Sequence, residues 1–207
     1  MGIVRSRHDI MPESVCESSV CATEHVSTDD FYDEVNSIPC PSIMFDVNGE
    51  FHAIPNTYNS KPLFRKIAPD FNELRVARIV QAHPHPNVVE IYHACKEYID
   101  MELLQTDKPY NVQDISRAHD YFLKHNIAYM DWKSNNFGID LNGITKVFDF
   151  NSSGMFDRDT DTWVYCPPNY YSMRHATQAD LINPSDIDRY TFEKRDDIWP
   201  SLFVGHI

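Results

Sequence analysis

Four side chains in the middle of this chain are of the types that phosphoryl chemistry uses. Asp131, Lys133 and Asn136 fall within Tyr129-Met130-Asp131-Trp132-Lys133-Ser134-Asn135-Asn136, and Asp149 follows in Lys146-Val147-Phe148-Asp149-Phe150. Moving a phosphoryl group asks little covalent work of a protein. It needs a carboxylate to orient the accepting hydroxyl, a cation beside the moving group and oxygen ligands for magnesium. Asp131 and Lys133 suit the first two tasks, Asn136 and Asp149 the third. The spacing Asp-x-Lys-x-x-Asn is common by chance, whereas its place between an amphipathic helix and a strand ending in Asp-Phe is much less so.

The elements around these residues follow from hydrophobic periodicity and turn chemistry. The first 40 residues are rich in Ser, Thr, Asp and Glu without sustained periodicity, which predicts a flexible acidic tail. Strands are expected over 42–47 and 50–54, joined by a tight turn at Asn48-Gly49. A third strand is expected over 62–67. Asp70 reads as the N-cap of a helix carrying Leu74, Ala77, Ile79 and Val80, stopped by His83-Pro84-His85-Pro86. Two more strands are expected over 88–93 and 98–104, then a helix over 114–125 with apolar residues at Ile115, Ala118, Tyr121, Phe122 and Leu123. Short apolar runs over 126–130 and 145–150 flank the four polar residues.

The stretch around Asp131 resembles the catalytic loop of protein kinases, Asp-x-Lys-x-x-Asn, and Asp149-Phe150-Asn151 is similar to their metal-binding Asp-Phe-Gly with the glycine replaced. The order of motifs extends the likeness over roughly residues 43 to 199. His85-Pro86-Asn87-Val88-Val89 is similar to the segment joining helix C to the fourth strand. Met101-Glu102-Leu103-Leu104 is similar to the fifth strand entering the hinge that receives adenine. Trp163-Val164-Tyr165-Cys166-Pro167-Pro168 is similar to the end of an activation segment. The resemblance implies an α+β, two-lobed protein-kinase-like fold. Residues 41–104 would form a small N-lobe, an antiparallel sheet with one helix, and 105–207 a mainly helical C-lobe truncated near helix F. ATP and Mg2+ are the implied cofactors.

Residue by residue, the resemblance gives Asp131 the acceptor hydroxyl, Lys133 the γ-phosphate, and Asn136 and Asp149 the magnesium. Lys66 takes the place of the lysine on the α- and β-phosphates, with Arg65 its only near competitor. Glu73 is the glutamate available to pair with Lys66, although ungapped alignment back from His85-Pro86 places Val76 there. Glu102 and Leu104 fall in the adenine hinge, and Gly49 in the second half of the glycine-rich loop, where Val47 and His52 replace other glycines. That loss predicts weak ATP affinity, stronger dependence on magnesium, or no binding. Tyr129 and Met130 replace the His-Arg that normally receives an activation-segment phosphate, so segment 151–166, with Asp157, Asp159 and Asp161, is expected to be fixed without phosphorylation. The helix F aspartate is Asp188 or Asp197, with Asp188 preferred because Pro200 interrupts a helix begun at Asp197.

Composition narrows the partners. With 31 acidic against 18 basic residues, a net charge of −13 argues against a nucleic-acid surface. An odd count of five cysteines without metal-ligand spacing predicts neither a disulfide framework nor a zinc site, and favours a reducing, cytoplasmic setting. Met1-Gly2 through Ser6 fits an N-myristoylation pattern, so membrane contact is expected only if Gly2 is acylated. Two functions fit: a minimal Ser/Thr-type kinase acting on a protein or small-molecule hydroxyl, or a pseudokinase that binds a partner kinase as decoy or scaffold. The exposed end of a shortened C-lobe would suit a partner or a second copy, as in a homodimer.

Overall fold

The junction at Asp70 sets the geometry of the first half. Asp70 keeps an extended backbone and its carboxylate accepts the Glu73 amide proton at 2.8 Å, satisfying a donor that the helix start leaves free. Helix α1 (Phe71–Ala82) follows and stops at His83, ahead of Pro84. The computed structural model describes residues 57–167, 181 and 183–198, with only the backbone of 197 and 198. The acidic tail, the turn at Asn48-Gly49 with Gly49 itself, Pro168-Asn169 and the Asp197 side chain lie outside the described residues.

Helix α1 packs on an antiparallel sheet of four strands, β1 (Thr57–Tyr58), β2 (Lys61–Ile67), β3 (Ile91–Ala94) and β4 (Tyr98–Glu102), ordered β1-β2-β4-β3. Strand alternation places Arg65 and Lys66 on opposite faces of β2. Arg65 makes a two-pronged ion pair with Asp100, at 2.5 and 2.6 Å, and its guanidinium stacks on Tyr98. Lys66 is thereby the β2 cation that faces α1.

The second half opens with helix α2 (Val112–Lys124), capped by the Asn111 side chain, which accepts the Gln113 amide proton. Four short strands and a 3-10 turn follow α2: β5 (Ile127–Ala128), the turn Ser134–Asn136, β6 (Phe137–Ile139), β7 (Thr145–Val147) and β8 (Gly154–Asp157). Then come β9 (Thr162–Tyr165), α3 (Pro184–Glu193) and the short α4 (Arg195–Ile198). Strands β5, β8 and β9 form one antiparallel sheet, β6 and β7 a hairpin. The fold is α+β with antiparallel sheets. One continuous core runs from Leu74, Val76 and Val80 of α1 through Ile99 and Met101 of β4 to Ile115 and Phe122 of α2, ending on Trp132 and Phe150.

Three elements differ from expectation, each for a non-local reason. The strand expected from residue 88 begins at Ile91, because Val88 bridges to Val147 and the Val89 amide donates to the Val147 carbonyl. The strand expected to reach residue 104 stops at Glu102, since Gln105 turns to exchange hydrogen bonds with Ile139. Segment 151–166 is a β8–β9 hairpin. Asp157 makes its turn by accepting the Asp159 and Thr160 amide protons, and the Thr160 bonds hold the Asp157 carboxyl below its usual range. Cys95 is disulfide-bonded, against expectation; an odd count excludes complete pairing, not one bridge.

Gly154, at the start of β8, has no room for a side chain. A Cβ there would lie 2.5 Å from the Trp163 ring, 2.7 Å from Pro167 and 2.8 Å from the Tyr165 carbonyl oxygen. Gly154→Ala is therefore expected to destabilise by about 1–3 kcal/mol, the cost of overpacking. The check is a lower urea midpoint with an unchanged m-value.

Candidate functional site

The Asp131 carboxylate is almost wholly buried where the loop after β5 doubles back. The 3-10 turn at Ser134–Asn136 folds the chain so that the Asn136 side-chain amide donates to the Asp131 carboxylate at 2.9 Å and to the Asp131 carbonyl at 3.0 Å. Lys133 reaches the same carboxylate at 2.7 Å while keeping a third of its side chain exposed. Because Asn136 spends its NH2 group on Asp131, its amide oxygen is the atom left to accept.

The loop is held from beneath by α3. The fully buried Asp188 carboxylate accepts the Met130 amide proton at 2.8 Å and the Trp132 indole proton at 2.9 Å. Met130 sits at φ +64°, a conformation that a non-glycine residue keeps only when its surroundings enforce it. Asp188, the preferred of the two candidate aspartates, is bonded to the loop. Behind it His119 of α2 lies 3.2 Å away, close enough for an ion pair but not aligned as a hydrogen bond.

From the loop the contacts pass to Asp149. The Phe148 amide donates to the Asn136 carbonyl at 3.0 Å, and the Tyr129 hydroxyl donates to the Phe148 carbonyl at 2.5 Å. Burial keeps the Tyr129 phenol protonated far above its usual range. Asp149, itself at φ +63°, accepts a hydrogen bond from Lys66 at 2.8 Å, and Lys66 also donates to Glu73 at 2.5 Å. The pair is asymmetric. Burial alone would lower the Lys66 pKa, yet its bonds to Asp149 and Glu73 outweigh this and raise it. Burial pushes the Glu73 carboxyl up, with Lys66 only partly opposing.

Beside this chain of contacts lies a cavity of about 230 Å³ lined by Phe64, Val89, Met101, Glu102, Leu104 and Phe148. The Glu102 carboxylate is paired with Lys146 at 2.6 Å, and the rest of the lining is apolar apart from Thr106. Phe64 and Phe148 were not readable as lining residues from sequence; their neighbours Lys66 and Asp149 were the only local pointers. Tyr129 and Trp132 also act here. Their aromatic bulk in an otherwise polar loop was the available signal.

Among the described residues no cluster of three or more His, Cys, Asp or Glu could hold a metal ion. Asn136 and Asp149 are linked through the backbone, where the Phe148 amide donates to the Asn136 carbonyl; side-chain oxygens of these types suit a hard cation that takes its other ligands from phosphate and water. No family model matches this chain, and no curated protein matches it significantly.

Proposed function

We propose that this protein is a kinase-like phosphotransferase that moves the γ-phosphoryl group of ATP to a Ser/Thr-type hydroxyl with magnesium. In this reading the four-stranded sheet with α1 forms the small lobe and the rest the larger one, with the cavity at Phe64 and Leu104 receiving adenine. The observation that carries it is the line of contacts from Asp188, by way of Met130 and Trp132, to Asp131 and Asn136, and by way of Phe148 to Asp149, Lys66 and Glu73. Sequence likeness alone requires the residue types; it does not require that these six residues, spread over more than 120 positions, meet in this order.

Each residue has a task in the reading. Asp131 accepts the hydroxyl proton and aims the oxygen, and Lys133 stands beside the transferring group. Lys66 binds the other phosphates, with Glu73 fixing its position. Asn136 and Asp149 would hold Mg2+, which supplies charge neutralisation on the phosphates when bound.

The test is thermal stabilisation by ATP with and without magnesium. A ligand at a hundred times its Kd stabilises by about 2.7 kcal/mol. The wild type is expected to show a magnesium-dependent rise in Tm, and Asp149→Ala to lose it. No shift at millimolar ATP would remove the reading and leave a protein-binding role.

A further inference from the structure

Helix α1 carries two working faces. Glu73 points to Lys66, while Phe71, Asn72 and Arg75, spaced three and four residues apart, share a different side. That second side meets the end of β9. The Arg75 guanidinium lies 3.2 Å from the centre of the Tyr165 ring and 4.3 Å from that of Phe71. The Asn72 side-chain amide donates to the Cys166 carbonyl at 2.9 Å. Arg75 is 5% exposed, so this is a built contact and not a surface coincidence. A flat, weakly hydrated guanidinium between two rings is the arrangement that gains most from a cation–π contact.

The β8–β9 hairpin is anchored at its other end as well. The Asp161 carboxylate accepts the Ser185 amide proton at 3.1 Å and the Ser185 hydroxyl proton at 2.6 Å, which fixes the hairpin turn to the start of α3. The hairpin is thus tied to α3 by one end and to α1 by the other.

We propose that Arg75 and Tyr165 are positioning residues that latch α1 to β9 and so hold Glu73 on Lys66, a constitutive substitute for control by phosphorylation. The latch stands on its own contacts; its consequence for phosphoryl transfer rests on the function proposed above.

The experiment compares full-length wild type, Tyr165→Phe and Tyr165→Leu by hydrogen exchange of α1 amides and by the acylation rate of Lys66. Tyr165→Leu removes the ring and is expected to speed α1 exchange about tenfold, with faster Lys66 acylation, because the helix opens locally. Tyr165→Phe keeps the ring and is expected to match wild type. Arg75→Lys keeps the charge but loses the flat stack, and is expected to loosen α1 as Tyr165→Leu does, which decides the matter should the leucine variant not fold. Wild-type exchange in Tyr165→Leu, or in Arg75→Lys, or loosening in Tyr165→Phe equal to that of leucine, would overturn the latch. Where wild type turns over ATP, kcat is expected to fall with the loosening and recover in Tyr165→Phe. Absence of any Mg·ATP binding by wild type removes the proposed function, while exchange and acylation still decide the latch.

Discussion

Asp188→Ala is expected to destabilise the protein by about 3–5 kcal/mol, measured as the change in unfolding free energy in urea. The carboxylate is fully buried and one of its oxygens takes both the Met130 amide and the Trp132 indole protons. Truncation leaves two buried donors with no acceptor, each worth about 1–3 kcal/mol. It also releases Met130 from its left-handed backbone, so the loop is free to relax and Asp131 to lose its place. Asp188→Asn keeps one acceptor oxygen and nearly the same volume, and is expected to cost about 1–2 kcal/mol less than alanine. Equal losses for the two variants would mean that the carboxylate charge beside His119, not the two accepted bonds, is what the site requires.

The same residue marks how far the sequence could be read. Asp188 and Asp197 were both open as loop anchors, and Pro200 favoured the first; the bonds to Met130 and Trp132 fall on Asp188. The Lys66 and Arg65 ambiguity has a simple answer in strand alternation, since Asp100 on the neighbouring strand takes Arg65. Ungapped alignment points to Val76 as the partner of Lys66, yet Val76 is wholly buried in the core and Glu73, three residues earlier, reaches the lysine. Periodicity found helices α1 and α2 within a few residues because each carries its own apolar stripe and N-cap. It did not find β6, β8 or β9, strands of three or four residues that are too short to show a period of two. Asp157 and Asp161, which resemble ordinary hydrated acids in sequence, are a turn maker and an anchor to α3. The donors to Asp157 are two and three residues further on, whereas those to Asp161 come from Ser185, which only the tertiary fold brings near.

Lys66→Met is expected to cost about 3–5 kcal/mol at neutral pH, the penalty for leaving a buried carboxylate without its partner. The loss is expected to shrink on acidification, and the sign follows from Glu73. Burial raises the Glu73 pKa and Lys66 opposes that rise, so removing Lys66 raises it further. A carboxyl whose folded pKa exceeds its unfolded value adds stability below the unfolded value and loses it as pH climbs through the folded one. Wild type and Lys66→Met therefore converge near about pH 4 and diverge above it. Lys66 works in the same sense at the other end. Its folded pKa lies above the ordinary 10.5, so its contribution holds through the neutral range and fades only in strong alkali. Glu73→Gln in the Lys66→Met background removes the titrating group, and this double variant is expected to recover most of the loss and to show a flat profile over the same range. Urea unfolding of the four proteins of the cycle at a series of pH values separates the pair energy from its parts. Parallel profiles for wild type and Lys66→Met would mean that Glu73 finds another cation once Lys66 is gone.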